Sequence, residues 1–315
     1  MISAQQCRTL LTHTIACAAW FSVCAFVLSD LLTDRVAALQ SLWWTPRIWF
    51  VLGCTLLVSG YFGLRSRSNY ARALGIGVFF LVVRQVALDW GLPKDRPTQG
   101  FRLVHWNASS PSPKSVELAV RALLSMDADA IVLTDPGSAL RREQFEAFAS
   151  AGFEIARAGR FALLSRTKVT EATPLIAGGG RNVSRFAVVA LDRMLVIEAV
   201  DFPSDVKLPR GALAEATGRD LSRLRDTFPD IAVGDFNIPR GSDSLSVLYP
   251  AFRESFHESG VGWGMSYPRS FPCVHIDLAL VGRGWKSARS EIVVPQVGRH
   301  AIQVVDLMPS THTQD

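Results

Sequence analysis

Hydrophobic residues follow two regimes along the chain. Up to about residue 90 they form long runs, and beyond it they form short ones. No charge stands between Thr9 and Ser29, a length that spans a bilayer core as a helix. A second uncharged run covers 48–64, and a third covers 73–88, broken only by Arg84. The pattern predicts three transmembrane helices within residues 1–92. A cleaved signal peptide would explain the first run alone, but two more runs follow and no small-residue cleavage site stands out.

Orientation is read from the positive residues. The linker RSRSNYAR carries Arg65, Arg67 and Arg72 and no acid. The preceding linker carries Asp30, Asp34, Arg35 and Arg47, which cancel. The Arg-rich linker and the N-terminus are then expected in the cytoplasm. Three crossings put everything after about Trp90 outside the cell membrane, with Trp43, Trp44, Trp49 and Trp90 suited to the interfaces. Arg84 is costly in lipid. Snorkelling, pairing with Asp89 or contact with a lipid phosphate would each accommodate it.

PKDRPTQG, within 93–100, has the proline, glycine and charge content of a linker. After it, strands and helices alternate irregularly. FRLVHW, AIVLT, RFALLSR, SRFAVVAL, MLVIEAV, IAVGDFN, VHIDLALV and AIQVVDL read as strands. The turn at Leu191, Asp192 and Arg193 suggests a hairpin. Helical periodicity marks 114–126, 141–150, 211–227 and 244–258, and AGGGR reads as a flexible loop. The expected architecture is α/β (α+β), with two packed sheets flanked by helices over 101–309 and a tail at 310–315.

Charge separates the two regimes. Nine of the 33 basic and four of the 28 acidic residues precede Phe101, which leaves 24 of each in the remainder. The C-terminal region is therefore neutral and lacks the basic footprint of a typical duplex-binding domain. Cys7, Cys17, Cys24 and Cys54 lie in the apolar region and Cys273 stands alone in the rest, so no disulfide forms within the C-terminal domain.

Polar residues recur where strands end. Asn107 follows RLVHW, Asp135 follows AIVLT, Asp201 follows VIEAV, and Asp235 and Asn237 follow IAV. His275 and Asp277 alternate on one strand face, and His300 opens the last strand. One such residue is usually a turn or cap residue. Six such positions along one domain suggest a site. His105 reads as a core residue, and His257 and His312 as surface residues. His275 reads as structural or as a substrate contact, and Arg181 and Arg185 as solvated charge or phosphate contacts.

RLVHWNA, DADAIVLTD, FALLSR, VIEAVDFPSD, IAVGDFNIPRGSDS, MSYP, HIDLALV and GRHAIQVVDL occur in the order found in the endonuclease/exonuclease/phosphatase superfamily. The resemblance covers about Phe101 to Leu307, and GDFN with its following Pro and Ser is the most specific part. With the apolar N-terminal region, the chain looks most like the VanJ-type membrane branch, associated with glycopeptide resistance and undecaprenyl pyrophosphate processing.

The resemblance implies a DNase I-like fold and hydrolysis of phosphate esters by in-line attack of water, with Mg²⁺ or Mn²⁺ on hard oxygen ligands. It implies that Asp235 activates the water, that Asn237 orients water and phosphate, and that Asn107 holds phosphate or metal. Asp277 would orient His300, which supplies charge or a proton. Three positions depart from the family pattern. Asp135 replaces the metal-binding Glu, Asp201 replaces a His or Tyr, and Arg299 replaces an acid. One expectation is that Asp201 and Arg299 form an ion pair across the site. Another is that Asp201 takes over metal binding while Arg299 clamps a phosphate. The metal set implied is Asp135, Asn107 and Asp235, with Asn107, Arg299 and Asp201 contacting substrate.

The expected activity is a membrane-anchored, metal-dependent phosphoesterase acting at the outer face of the membrane. Its substrate would be a phosphate ester or pyrophosphate, a lipid carrier among the options. A catalytically impaired membrane-tethered binding module and an extracytoplasmic nuclease are the alternatives, and nucleic acid is the less favoured partner.

Overall fold

The structure is a computed structural model that describes residues 3–65, 69–109, 112–137 and 142–310. The chain separates into two compact units, 1–89 and 90–315.

The first unit is helical. It contains α1 (Ala4–Leu32), α2 (Gln40–Trp44), α3 (Arg47–Arg65) and α4 (Asn69–Asp89). Ser3 caps α1, its side chain accepting from the Gln6 amide while the Gln6 side chain accepts from the Ser3 amide. Ala19, Cys54, Val58 and Val78 form the small core. Leu10, Phe21, Leu56, Phe79 and Phe80 are largely exposed.

Among the described residues, one helix, 5–32, is long and apolar enough to cross a membrane. The pair 37–44 and 47–61, bent by 75°, makes a second if it counts as one span. This is fewer than the three spans expected from the sequence. The expected runs 48–64 and 73–88 extend over side chains outside the described ones (62–64 and 74). Arg67 and His312 are also outside the described residues. Arg84 pairs with Asp30 of α1 rather than with Asp89, because α1 and α4 bring the two together and Gln85 takes Asp89. Arg47 shares Asp30 at 3.2 Å and stacks over Phe26 and Trp43.

The second unit contains β1 (Trp90–Gly91), β2 (Phe101–Asn107), α5 (Pro113–Leu124), β3 (Ala130–Thr134), α6 (Arg142–Ser150), β4 (Glu154–Ala158), β5 (Phe161–Ser165) and β6 (Val169–Gly178). It continues with β7 (Arg181–Ala190), β8 (Arg193–Asp201), α7 (Arg210–Leu224), β9 (Ile231–Asp235), α8 (Asp243–Leu248), β10 (Arg253–Glu254) and α9 (Ser255–Ser259). The last elements are β11 (Gly260–Trp263), β12 (Asp277–Val281), β13 (Trp285–Val293) and β14 (Ile302–Pro309).

Two mixed sheets result. The first has order β1-β11-β13-β14-β2-β3-β5-β4 and the second β10-β12-β9-β8-β7-β6. Their inner faces meet through Leu103, Val132, Leu163, Phe186, Ile197, Val233, Ala279 and Val305. The outer face of the first packs Val104, Trp106 and Leu133 against Val116, Leu123 and Phe148 of α5 and α6. The outer face of the second packs Val200, Ala232 and Leu278 against Ala214, Leu221 and Leu245 of α7 and α8. Strands covered on both faces bury every position, which is why β3 and β9 read as largely apolar runs.

Three local expectations change. The helix expected over 244–258 is divided into α8, β10 and α9, because Pro250 cannot continue a helix. AGGGR is the tight turn of the β6–β7 hairpin, where Gly178, Gly179 and Gly180 all have positive φ. β6 and β13 are strands that the apolar pattern does not mark. β6 is an edge strand carrying Pro174 beside a register shift, and β13 alternates charged residues along its length.

Candidate active site

Strand register sets out the site. Asn182 of β7 pairs with Asp201 of β8, Asp201 pairs with Asp235 of β9, and Asp235 pairs with Asp277 of β12. These four polar residues therefore form one row across the second sheet. On the first sheet Asn107 ends β2 level with Thr134, and Asp135 follows directly. His300 comes just before β14.

Gly234 permits this row. A Cβ there would lie 1.9 Å from the Val200 carbonyl oxygen, so no other residue fits without moving β8. Past the strand, Asn237 adopts φ 47° and Asp135 φ 45°, left-handed values that Asn and Asp tolerate better than most.

Asp235 is the hub. One carboxylate oxygen accepts from Asn107 Nδ2 at 2.8 Å, and the other accepts from the Asn237 amide at 3.0 Å. Asn237 Nδ2 donates to the Phe202 carbonyl at 2.8 Å. Asn107 Oδ1 accepts from the Ser109 amide and hydroxyl. His300 Nδ1 lies 3.0 Å from Asp277 Oδ2, and its Nε2 lies 3.7 Å from Asp235 Oδ2. The imidazole thus stands between two acids, with the Tyr267 ring 4.7 Å away.

Burial, reinforced by the negative charge of Asp277, pushes Asp235 up to about 7. Burial also raises Asp201 to about 6, against the pull of Arg160. At His300 burial opposes the imidazolium, but the charge and hydrogen bond of Asp277, with Asp235, outweigh it and raise the group to about 9. An acid raised to about 7 beside an imidazolium suits base-and-acid chemistry near neutral pH.

The sequence profile of the Endonuclease/Exonuclease/phosphatase family matches residues 104–312. The chain belongs to this family. An endonuclease/exonuclease/phosphatase family protein from Bacteroides thetaiotaomicron is 14% identical, with TM-score 0.53 over 69% of this chain and 100% of that one. A mannosyl-6-phosphatase from the same organism is 14% identical, with TM-score 0.52 over 66% and 99%. The human Nocturnin catalytic domain with bound sulfate is 13% identical, with TM-score 0.55 over 69% and 96%. At such identities these likenesses show a shared fold. No curated protein matches the chain significantly. Membership places the chain among hydrolases of phosphate ester bonds.

The donor set of this family member suits a divalent cation. Asp201, Asp235 and Asp277 are buried side by side, and Asp277 Oδ1 is buried with no hydrogen-bond partner. Ligand atoms of Asp235, Asp277 and His300 lie within 4.8 Å of one another. Carboxylate oxygens are the hard donors that such a cation prefers.

The expected Asp201–Arg299 pair is absent. Arg299 faces outward while its neighbour His300 faces in, and its Nη2 donates to Tyr267 Oη at 3.3 Å. Arg160, from the β4–β5 turn, takes that place beside Asp201 and Asp135. His275 is buried and packs edge-on against the Phe256 ring, which fits the structural reading. His105 is a core residue bonded to Thr134 Oγ1. Arg181 pairs with Asp220, and Arg185 with Glu198 and Thr227. Sequence reasoning missed Arg160, Asn182, Tyr267 and Ser109. An arginine following a turn glycine, as in AGRF, was the available signal for Arg160.

Proposed function

We propose that the second unit is a divalent-cation-dependent phosphoesterase in which Asp235 draws a proton from the attacking water. The convergence of Asn107, Asp235, Asn237 and the Asp277–His300 pair at one edge of the two sheets carries this reading. Asp235 is the only one of these carboxylates that contacts Asn107, Asn237 and His300. Asn237, fixed by the Phe202 carbonyl, orients the water and a phosphoryl oxygen. His300, held in one tautomer by Asp277, meets the charge that develops on phosphorus or on the leaving oxygen. A divalent cation held by Asp135, Asn107 and Asp235, with Asp201 as a further carboxylate ligand, would neutralise charge on the phosphoryl group. Arg299, exposed beside Tyr267, would meet a further phosphate.

The substrate reading adds the first unit. α1 presents exposed leucines and Phe21 over a span long enough to cross a bilayer, which supports a membrane tether. Tethering favours a substrate at the membrane surface, and a lipid-linked phosphate or pyrophosphate of the kind expected of the VanJ-type branch fits that position. A single crossing by α1 from a cytoplasmic N-terminus would put the site at the outer face. The neutral charge of 101–315 supports a lipid or small phosphorylated substrate over nucleic acid.

The test is phosphate release by the full-length protein in detergent, with and without Mg²⁺ or Mn²⁺. Undecaprenyl pyrophosphate and plasmid DNA are offered in parallel, beside Asp235→Ala and His300→Ala. Cation-dependent turnover of the lipid, lost in both variants, supports the reading. Cleavage of DNA alone favours the nuclease. No turnover of either by folded protein leaves a membrane-tethered binding module, which the changes at Asp135, Asp201 and Arg299 favour.

A further inference from the structure

Arg160 has no place in the reaction just described, yet it touches two of its acids. It sits in the turn between β4 and β5, next to Gly159 at φ +57°. Its carbonyl accepts from the Asp135 amide at 3.0 Å. Its Nη2 lies 3.2 Å from Asp135 Oδ2, and its Nε lies 3.4 Å from Asp201 Oδ2. Asp135 follows a strand of the first sheet and Asp201 ends a strand of the second. One guanidinium therefore spans the two sheets at the mouth of the site. Its side chain is 49% exposed, so its far end is free to swing without disturbing the core.

A guanidinium is always charged and binds carboxylate or phosphate through the same planar donors. A divalent cation needs the carboxylate oxygens that Arg160 now holds. The two cations therefore compete for Asp135 and Asp201, and the loser is left beside any phosphate entering the site. We propose that Arg160 is an exchangeable internal cation. Before a divalent ion binds it bridges Asp135 and Asp201. When the ion takes those carboxylates, the guanidinium transfers to a phosphoryl oxygen of the substrate. This rests on the phosphoesterase reading and adds a coupling to it: ion and phosphate each favour binding of the other through Arg160.

The experiment needs no turnover. Mn²⁺ binding to the full-length protein in detergent is followed by electron paramagnetic resonance, with and without inorganic phosphate. Wild type is compared with Arg160→Ala, Arg160→Gln and Arg160→Lys, each shown folded by thermal melting. Without phosphate, Arg160→Ala and Arg160→Gln should bind Mn²⁺ about tenfold more tightly than wild type, the scale of two half-exposed ion pairs released. Phosphate should tighten Mn²⁺ binding in wild type, and tighten it clearly less in those two variants. Arg160→Lys keeps the charge and should retain the competition. Equal or weaker Mn²⁺ affinity in Arg160→Ala and Arg160→Gln would overturn the exchange and leave the hydrolase standing. Failure of Mn²⁺ to bind any folded form would overturn both.

Discussion

Asp277→Asn is the most informative single change, because one charge sets both limbs of the expected pH profile. Asn has the shape of Asp, so packing around this fully buried position is kept. The variant removes the negative charge 3.0 Å from His300 Nδ1, which is a main support of an imidazolium raised to about 9. Asp235 remains as partial support at 3.7 Å. If the imidazole then settles near ~7, its charged fraction at pH 8 falls from about nine tenths to about one tenth. The same change removes the second-largest cause of the raised Asp235, so that acid also falls below about 7. Both limbs of the kcat/KM profile should move to lower pH together, which is a displacement rather than a collapse. Stability follows the same sign. His300 titrates higher folded than unfolded, so its contribution is complete below about 6.5 and is lost as pH rises through about 9. The shift corresponds to at most ~3 kcal/mol, and urea unfolding at pH 6 and 9.5 should differ less in the variant than in wild type. The assay is a pH–rate profile together with imidazole titration by NMR. A basic limb that stays near 9 in the variant would refute the claim that Asp277 controls His300.

Three further outcomes are expected. Gly234→Ala would press a Cβ to 1.9 Å from the Val200 carbonyl and should destabilise the second unit by about 3 kcal/mol or more in urea unfolding. A loss under about 1 kcal/mol would show that β8 and β9 separate easily. Arg299→Ala removes one long hydrogen bond at an exposed site, so stability should change by less than about 0.5 kcal/mol. Its KM for a phosphorylated substrate should rise with kcat retained, and a matching fall in kcat would place Arg299 in the chemical step instead. Deleting residues 1–32 should move the protein from the membrane to the soluble fraction on cell fractionation, and continued membrane association would assign the tether to other residues.

Much of the fold was legible because the central strands are covered on both faces. AIVLT, IAVGD and DLALV are apolar except for glycine and for one polar residue at an end of each. Legibility failed where burial is one-sided. WKSARSEIV of β13 alternates serines, charges and apolar residues, and its strand identity comes from pairing with β14 along its length. VTEATPLIAG of β6 is an edge strand with a proline, which local pattern rules against. The helix expected at 244–258 failed for a covalent reason, because Pro250 breaks it and its apolar periodicity belongs to two separate elements.

At the site, individual residues were legible and their juxtaposition was not. Asn107, Asp235, Asn237, Asp277 and His300 each stand at a strand end or in a short motif, and the fold brings all five together. The row of Asn182, Asp201, Asp235 and Asp277 arises because β7, β8, β9 and β12 are neighbours in one sheet, and no spacing along the chain announces that adjacency. The row also explains why two cationic groups stand beside it. Three acids level across adjacent strands repel one another in a buried setting, and His300 answers Asp277 and Asp235 while Arg160 answers Asp201 and Asp135. One sequence-based expectation assigned the pairing with Asp201 to Arg299, because the two positions depart from the family pattern in opposite charge directions. Arg299 and His300 lie in the bend that precedes β14, where His300 is buried and Arg299 is exposed. The balancing cation had to come from a different element, and the β4–β5 turn, which opens at the same edge as Asp135, supplies it.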